Sequence, residues 1–517
     1  MVKSNRVEGF WPGRNPALKG PGPDLPGRQR PANGGDGAVG EALWTDFYQL
    51  NMMYAHFRRG SHETPAVFDV FFRRLPCEAG FGVFAGLEAV LDWLEAAHFT
   101  DEELRYLAEV GGYDRAFLEY LRGIRFRGTV WAVPEGTPVF PHEPLLRIEA
   151  PIGEAHWVET AILAYINHQT LIATKAARIV HAAGDDPVLE FGLRRSHGPE
   201  AGVYAARAAY IAGAQATSNV EAGRRFGIPV AGTHAHAFVQ SFPDERAAFD
   251  AFLAAFPDQA ILLVDTYDVL RSGLPNAIEA FRAHFARLGR RPARYGVRID
   301  SGDLAYLSKA ARAMLDAAGF SDAIVVASGD LDETIIRDLK VQGARIDAWG
   351  VGTELVTGGD CGALGAVYKL SAIREGDRWV PKLKVSENPL KINDPGVKKV
   401  VRFYDRDRGE ALADVILLEE EPLPEGPYEI FHPIYTMKRK TLRNYETRLL
   451  LEPVMVGGRR LHPPPSAEAV RRYHLSERER FAPEVRRLVY PHEYPVDLSL
   501  PLWELKQRLV REQGGRG

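Results

Sequence analysis

The stretch with the clearest chemical potential is Thr-His-Ala-His at residues 233–236. It follows the short apolar run at 228–231, so we expect a strand that ends and opens into a loop, where α/β proteins place reactive groups. A histidine there can act as a base, as a metal ligand or as a nucleophile that carries a phosphoryl group. The spacing of His234 and His236 also allows a pair of zinc ligands. An ordinary loop or cap role for His236 stays open at this stage.

A second polar group follows the strand-like run at residues 295–299. Arg298 carries a planar fork of donors that suits a carboxylate or a phosphate. Asp300 or Ser301 can cap the next helix, and this role is compatible with a second one. An arginine at the end of a strand is less easily explained by structure alone, so we predict that Arg298 holds an anionic ligand.

Two later strand ends carry glycine turns, at Ser328-Gly329-Asp330 and at Gly350-Val351-Gly352-Thr353. Such turns bring backbone N–H groups and a helix N-terminus towards an anion. Late strands of (β/α) barrels often hold a phosphate. Arg194 and Arg195 follow another strand-like run and add two cations. We predict a phosphate site here, with ordinary βα loops and solvated charges as the alternative.

Alternating strand and helix segments have to position these groups. Strand-like runs lie at residues 188–192, 228–231, 261–264, 295–299, 323–327 and 346–350. Helical patterns lie at 154–181, 199–213, 244–256, 275–288, 303–318 and 331–342. Repeated βα units predict a parallel sheet. Polar strand ends suit the carboxyl face of a (β/α) barrel, but an open doubly wound sheet has the same periodicity.

The flanks of this middle part differ in composition. Residues 1–42 are rich in Gly and Pro and predict a flexible tail. Residues 43–155 predict a small α/β domain, whose first helix, at about 47–59, follows the candidate caps Thr45 and Asp46. Residues 156–370 are the predicted catalytic barrel, and 371–517 form either a third domain or a return of the chain that partly completes the first one.

Composition excludes several classes of protein. The 517 residues, 45% hydrophobic and 26% charged, describe an ordinary globular protein of two or three domains. A formal net charge of −4 gives no basis for a nucleic-acid surface, and no apolar run approaches the ~18 residues that span a bilayer. Cys77 and Cys361 fit neither a disulfide framework nor a zinc motif. We therefore expect a cytoplasmic protein without nucleic-acid or membrane partners.

Several segments together resemble the nicotinate phosphoribosyltransferase family, in order over roughly residues 43–400. They are TDFYQLNMMYAHFRRG (45–60), FFRRLP (71–76), EFGLRRSHGP (190–199), SNVEAGRRFGIPVAGTHAHAFV (218–239), DTYDVLRSGLPNAI (265–278), GVRIDSGDL (296–304), GVGTELVTGGD (350–360) and GAVYKL (365–370). The resemblance implies an α/β fold: an irregular (β/α) barrel of the type II phosphoribosyltransferase kind, with an additional α/β domain built from both ends of the chain.

The resemblance also implies roles for individual residues. His236 matches the histidine that the family phosphorylates from ATP, and Asp300 would hydrogen-bond the ribose or stabilise the cationic side of the reaction. Arg298 and Thr233 would contact nicotinate, and Tyr48 would stack on the pyridine ring from the neighbouring subunit of a homodimer. The site for phosphoribosyl pyrophosphate (PRPP) would comprise Lys175, Arg194, Arg195, Ser328, Gly329, Asp330, Gly350, Gly352 and Thr353.

The implied activity is condensation of nicotinate with PRPP to nicotinate mononucleotide and pyrophosphate in NAD salvage, coupled to ATP hydrolysis through a phosphohistidine and assisted by Mg²⁺. His234 departs from the family pattern, because an apolar or small residue is expected there. Three alternatives remain: a related phosphoribosyltransferase acting on nicotinamide or quinolinate, a barrel metal-dependent hydrolase that uses His234 and His236, and a non-catalytic phosphosugar-binding protein.

Overall fold

The computed structural model of the protein describes residues 41–388, 391–435 and 437–514. Within these ranges the chain forms two compact units. Unit 1 contains residues 172–362 and 466–471, and unit 2 contains 41–171, 363–465 and 472–514. This division differs from the domain boundaries predicted from the sequence, which stay a prediction.

The predicted flexible tail lies outside the described residues up to residue 40. Its last two residues are described, and they are packed. Ala42 is buried, and its carbonyl accepts a hydrogen bond from Trp157 Nε1 at 2.9 Å. Trp93 Nε1 likewise donates to the carbonyl oxygen of Glu41 at 3.1 Å. The predicted extent of the tail, residues 1–42, stays a prediction.

The first part of unit 2 alternates helices and strands. Its elements are α1 (Phe47–Arg59), β1 (Pro65–Phe71), β2 (Gly82–Val83), α2 (Leu87–Ala96), α3 (Asp101–Gly111), α4 (Arg115–Gly123), β3 (Thr129–Ala132), β4 (Pro138–Val139), β5 (Leu146–Pro151) and the start of α5 (Ile152–Ala183). Helix α1 has the predicted bounds. It ends where Gly60 takes a left-handed φ of 72° and its N–H bonds the carbonyls of His56 and Phe57.

Unit 1 contains the βα repeats that the sequence predicts. After α5 come β6 (Val188–Glu190), α6 (Pro199–Ile211), β7 (Ala216–Thr217), α7 (Val220–Phe226), α8 (His236–Gln240), α9 (Glu245–Ala255), β8 (Ala260–Leu263), α10 (Leu274–Leu288), β9 (Tyr295–Ile299), α11 (Leu304–Ala317), β10 (Ile324–Ala327), α12 (Glu333–Val341), β11 (Ala348–Val351) and α13 (Thr353–Thr357). Short 3₁₀ turns at Leu193–Arg195 and Gly359–Cys361 and a π-helical turn at Val269–Gly273 complete the unit.

The six strands of unit 1 form one parallel sheet in the order β7-β6-β11-β10-β9-β8. Strands β8, β10 and β11 are buried along their whole length, as expected for a parallel sheet that is covered on both faces. The predicted strand at 228–231 is wrong: only Val230 pairs there, through an isolated bridge to Thr217. Pro229 has no N–H to donate, which keeps this segment from extending the ladder.

The remaining elements come from the last third of the chain. They are β12 (Val367–Glu375), β13 (Arg378–Pro381), β14 (Lys398–Asp405), β15 (Ala411–Leu418), β16 (Tyr428–Phe431), β17 (Arg439–Leu442), β18 (Tyr445–Leu449), β19 (Glu452–Val456), β20 (Arg459–Arg460), α14 (Ala467–Arg478), β21 (Val496–Leu498) and α15 (Leu500–Gly514).

Strands from both ends of the chain share a sheet in unit 2. The seven-stranded sheet has the order β13-β12-β1-β5-β3-β19-β20, and β1 lies antiparallel between β5 and β12. A six-stranded sheet, β17-β16-β21-β15-β14-β18, and the β2-β4 pair make up the rest. The predicted α/β domain built from N-terminal and C-terminal segments is therefore confirmed.

Two further expectations concern the environment of the protein. In the ranges that the structure describes, no helix is long and apolar enough to cross a membrane. Cys77 and Cys361 are both disulfide-bonded, so the expectation that two such distant cysteines form no disulfide is wrong. The cysteine argument for a reducing compartment is lost, and the cytoplasmic location stays a prediction.

Candidate active site

The segments at the carboxyl ends of the unit 1 strands, together with the loop before α8, are here called the carboxyl rim: residues 190–195, 233–236, 265–266, 298–301, 328–330 and 350–353. His236 is the first residue of α8. Its Nδ1 lies 3.2 Å from Thr266 Oγ1, and its Nε2 lies 3.9 Å from Asp265 Oδ1 and 4.0 Å from Asp300 Oδ2. The side chain is 40% exposed. A reactive ring nitrogen therefore faces two carboxylates that would stabilise positive charge on the ring.

Asp265 is a site residue to which the sequence analysis assigned no role. Its side chain is 2% exposed, and its Oδ2 accepts from Asp300 N at 2.9 Å and from Ser301 Oγ at 2.7 Å. Its Oδ1 is buried without a hydrogen-bond partner. An unpaired buried carboxylate oxygen is costly, which makes it a candidate for ligand or proton chemistry. The available signal was its position directly after a strand-like run.

Arg298, on β9, has one paired and one unpaired side. Its Nη1 donates to Thr233 Oγ1 at 2.7 Å, whereas its Nε is buried without a partner. Burial lowers the pKa of Arg298, while Asp300 and Asp265 raise it and Arg194 lowers it. A guanidinium stays charged through shifts of this kind. The structure thus brings the predicted pair Thr233 and Arg298 together and leaves donors for a small anion.

The first glycine turn packs directly on Asp300. Ser328, at the end of β10, donates its hydroxyl to Asp300 Oδ1. Gly329 has a φ of 110°, and a Cβ there would lie 2.4 Å from the carbonyl oxygen of Asp300. Only glycine fits such a close approach in the left-handed region. Asp330 is exposed. The predicted turn at 328–330 therefore adjoins the residue predicted to contact ribose.

The second glycine turn lies beside the first. A Cβ on Gly350 would lie 3.2 Å from Ser328 Cβ and 2.7 Å from the ring of Phe191. Gly352 precedes Thr353, the first residue of α13, and a Cβ there would lie 3.3 Å from the Phe191 carbonyl oxygen. The ends of β6, β10 and β11 thus lie next to each other, and they can do so because Gly350 and Gly352 have no side chain at this junction.

Arg194 and Arg195 are exposed residues of the 3₁₀ turn that follows β6. The charge of Arg194 lowers the pKa of Arg298, so both cations act on the same space. Glu190, which the sequence analysis also missed, lies buried at the end of β6. It accepts hydrogen bonds from the Thr217 hydroxyl and the Gly192 N–H, and burial raises its pKa. Glu190 therefore fixes the start of the turn that carries the two arginines.

Lys175, near the end of α5, has a partner within the protein. Its Nζ lies 2.7 Å from Glu333 Oε2, and Arg178 Nε donates to Glu333 Oε1 at 2.8 Å. A Cβ on Gly359 would lie 3.4 Å from Lys175 Nζ, so the ammonium also lies against the turn after α13. The structure gives Lys175 a buried ion pair, and its predicted contact with PRPP stays a prediction.

Tyr48 lies in unit 2, whereas all the other predicted site residues lie in unit 1. It belongs to the first turn of α1 and is 53% exposed, and its neighbours Trp44 and Phe47 are 50% and 51% exposed. Three large aromatic side chains are therefore open to a ligand or to another chain. The predicted contact of Tyr48 with the pyridine ring stays a prediction.

The metal-hydrolase alternative has little support. Among the described side chains, no group of three or more His, Cys, Asp or Glu residues could hold a metal ion. His234 is buried, and its Nε2 accepts a hydrogen bond from the Leu263 N–H at 3.2 Å. His234 is thus engaged with the backbone, and the proposed zinc pair lacks both a free second histidine and further ligands.

Three consecutive parts of the chain match one protein family: residues 43–167 match the nicotinate phosphoribosyltransferase (NAPRTase) N-terminal domain, 187–402 the NAPRTase family and 397–506 the C-terminal domain. The nicotinate phosphoribosyltransferase of Bacillus subtilis (strain 168) is 48% identical over 476 residues, which cover 92% of this chain and 96% of that protein. The human nicotinate phosphoribosyltransferase is 34% identical over 534 residues, with 92% and 98% covered.

Solved structures agree. The crystal structure of human nicotinic acid phosphoribosyltransferase superposes with a TM-score of 0.78 at 33% identity, over 90% of this chain and 99% of that one. A nicotinate-nucleotide pyrophosphorylase from Pyrococcus furiosus shares the fold, with a TM-score of 0.66 at 23% identity over 88% of this chain and 99% of that one. The predicted type II phosphoribosyltransferase fold is confirmed. Full-length similarity and three matching domains show that this chain belongs to the nicotinate phosphoribosyltransferase family.

Proposed function

We propose that the protein transfers the phosphoribosyl group of PRPP to nicotinate, forming nicotinate mononucleotide and pyrophosphate in NAD salvage. The observation that carries the proposal is the meeting of Arg298, Asp300 and His236 with the two glycine turns at one carboxyl rim. Membership of the family supports the same reaction.

Nicotinate recognition follows from the unpaired side of Arg298. A buried carboxylate needs a paired cation, because an uncompensated charge in the interior costs several kcal/mol. Thr233 occupies Nη1, which orients the guanidinium and leaves its Nε edge for the carboxylate. The neutral amide of nicotinamide offers a single acceptor and no charge, so it binds less well. Quinolinate has a second carboxylate, for which Arg298 alone does not suffice.

The transfer step joins the pyridine nitrogen to the anomeric carbon of the ribose and breaks the bond from that carbon to the pyrophosphate oxygen. Positive charge develops on the sugar and negative charge on the leaving group. Asp300, oriented by the Ser328 hydroxyl, would stabilise the sugar. The backbone N–H groups of the two glycine turns, together with Arg194 and Arg195, would stabilise the pyrophosphate.

Mg²⁺ fits this rim as an ion that binds together with PRPP. It commonly takes one or two carboxylates and completes its shell with phosphate oxygens and water. Asp265 Oδ1, which is buried without a hydrogen-bond partner, and Asp300 would supply such oxygens. When bound, the ion would neutralise charge on the pyrophosphate.

Coupling to ATP would use His236 as nucleophile. When the imidazole donates its Nδ1–H to Thr266 Oγ1, the lone pair of Nε2 is free to attack. The Nε2–phosphorus bond forms, the bond from the γ-phosphorus to the bridging oxygen breaks, and ADP leaves. Asp265 and Asp300 would stabilise the imidazolium formed in this step. The 40% exposure of the side chain leaves room for ATP to approach.

The decisive test is the His236→Ala variant. We expect slow PRPP-dependent product formation to remain and stimulation by ATP to disappear, because only the ATP-coupling step needs the imidazole, whereas the phosphoribosyl transfer does not. Product analysis with nicotinate, PRPP and ATP each omitted in turn measures both steps, together with label transfer from γ-labelled ATP to the protein. ATP hydrolysis that persists in the variant contradicts the phosphohistidine, and absence of product in the wild type contradicts the transferase.

A homodimer with a shared active site is the second part of the proposal. Trp44, Phe47 and Tyr48 expose half of their surface in the single chain, and exposed aromatic clusters of this kind mark protein interfaces. If Tyr48 serves the neighbouring site, a mixture of inactive Tyr48→Ala and Arg298→Ala chains should regain activity. One of the two sites in a mixed dimer would then contain both native residues. No regain after mass spectrometry verifies subunit exchange excludes this arrangement.

A further inference from the structure

Strand β8 is the last strand of the parallel sheet, and its outer side has backbone donors without a strand partner. The N–H groups of Ala260 and Val264 donate towards β9, to the carbonyls of Arg294 and Arg298, each at 3.1 Å. Backbone donors alternate between the two sides of a strand, so the N–H of Leu263 points outwards. Leu263 is fully buried, and its N–H would be a costly unpaired donor without another acceptor.

His234 supplies this acceptor. Its Nε2 accepts the Leu263 N–H at 3.2 Å, and a nitrogen that accepts cannot carry the proton. The ring is therefore neutral, with its hydrogen on Nδ1. Burial, followed by the charge of Arg298, lowers the pKa of His234 to about 4. The ring also packs edge-on against Phe252, with centroids 4.8 Å apart, and against Phe238, at 5.3 Å.

The two segments that His234 joins carry the reacting groups. Thr233 and His236 belong to its own segment, and Asp265 and Thr266 follow Leu263 on the other. The two segments, residues 232–236 and β8 with the residues after it, meet along a seam. The contacts between His236 and Thr266, at 3.2 Å, and between His236 and Asp265, at 3.9 Å, cross this seam. The position of His236 relative to its partners therefore depends on how closely the two segments are held.

We propose that His234 is a positioning residue: as the hydrogen-bond acceptor for the Leu263 N–H, it closes the seam between residues 232–236 and β8 and thereby aligns His236 with Asp265 and Thr233 with Arg298. This inference rests on the proposed roles of His236 and Arg298. His234 touches no reacting atom and acts through its neighbours. An apolar side chain of similar volume fills the same space but leaves the Leu263 N–H unpaired.

Three variants separate the effect of the hydrogen-bond acceptor from the effect of side-chain packing. His234→Gln keeps an acceptor at about the reach of Nε2, whereas His234→Leu keeps volume and removes the acceptor. The matched control is His284→Leu. His284 is a buried histidine of α10 in the same unit, and its Nε2 lies 3.1 Å from the Pro257 carbonyl oxygen. This control reports the effect of losing a buried histidine hydrogen bond away from the seam.

Three measurements are made on each full-length protein: the KM of nicotinate, the single-turnover phosphorylation of His236 and the melting temperature. We expect His234→Leu to raise the KM of nicotinate and to slow phosphorylation, each about tenfold, since small misplacements at a reacting centre have effects of this size. His234→Gln should stay within about threefold of wild type, because it still accepts the Leu263 N–H. His284→Leu should melt earlier but keep its kinetics.

Kinetics of His234→Leu equal to those of wild type would overturn the proposal. So would equal defects in the Leu and Gln variants, or kinetic losses in all three variants that follow their melting temperatures, which would indicate a general structural role. If wild-type His236 takes no phosphate, the proposed ATP step fails, but the nicotinate KM of the Leu and Gln variants still decides the role of His234.

Discussion

Arg298 Nε and Asp265 Oδ1 are buried without hydrogen-bond partners, although Arg298 Nη1 donates to Thr233 and Asp265 Oδ2 accepts from Asp300 N and Ser301 Oγ. Folding alone would favour pairing these atoms or replacing the residues, because unpaired buried polar groups destabilise a protein. Their presence at one rim, one a cation and the other an anion, is accounted for by the proposed function, in which a carboxylate and a metal-bound pyrophosphate would complete them.

Replacing Arg298 by Lys tests this explanation at the level of one residue. Lysine keeps the charge but has no planar fork, so it can hold neither Thr233 and the substrate together nor the carboxylate with two parallel bonds. We expect the KM of nicotinate to rise about 10- to 100-fold, the equivalent of about 1.4 to 3 kcal/mol, with a much smaller change for PRPP. Steady-state kinetics with each substrate varied in turn measure both effects.

The control for this variant is Arg291→Lys, since Arg291 pairs with Asp322 at an exposed position of the same unit. Its kinetics should match wild type. Equal increases in the KM of nicotinate and of PRPP in Arg298→Lys would contradict a role specific for the carboxylate.

At the level of elements, most strands whose ends contribute to the carboxyl rim were recognisable in the sequence. Strand β9 has the predicted bounds, and β8, β10 and β11 differ from prediction by one or two residues. Strand β7, of two residues, was missed, because a run of this length has no periodicity to detect. The loop at 228–236 was taken for a strand end, yet it is held by single hydrogen bonds, including the one from Leu263 to His234.

The glycine turn after β10 can be tested with a matched pair of variants. Gly329 and Gly319 both have positive φ, of 110° and 85°, but an added Cβ would collide with the Asp300 carbonyl only at Gly329 and would meet open space at Gly319. We expect Gly319→Ala to lower the free energy of unfolding by about 1 kcal/mol, from backbone strain alone. Gly329→Ala should destabilise more and should also raise the KM of PRPP, because the turn and Asp300 must move apart.

Urea unfolding and PRPP kinetics of the two variants provide the comparison. A Gly329→Ala protein that binds PRPP normally while it is destabilised would show that the turn is structural and does not contact the substrate.

At the scale of the whole molecule, the chain builds a βα unit from its middle and a mixed α/β unit from its two ends. In each unit, burial is the main cause that lowers the pKa of one histidine to about 4: His156, which is partly exposed, in unit 2 and the buried His234 in unit 1. Such groups link the stability of the fold to pH, because the histidine binds a proton at a higher pH in the unfolded chain than in the folded protein.

We expect the free energy of unfolding to be unaffected by these two groups above pH 6.5 and to fall as the pH drops from 6.5 to about 4. The unfolded histidines bind protons in this window, whereas the folded ones stay neutral. Each contributes a loss of up to about 3 kcal/mol, and below pH 4 the two groups add no further change. Urea unfolding between pH 7.5 and 4 measures the profile.

His156→Gln and His234→Gln should each flatten this profile, and His462→Gln, at an exposed position, should leave it unchanged. If the wild-type free energy of unfolding does not decrease between pH 6.5 and 4.5, the two histidines do not have the lowered pKa values that their surroundings in the structure imply.

The sequence by itself determined the βα order and the family and singled out most of the candidate site residues, because residues such as Arg298, Asp300 and His236 lie in long motifs and follow recognisable apolar runs. Only the tertiary structure decided which atoms are already occupied. It pairs Lys175 with Glu333, leaves Asp265 Oδ1 and Arg298 Nε unpaired, and assigns His234 to the backbone of β8. Hydrogen bonds and burial depend on residues that are distant in the chain, so local patterns do not contain them.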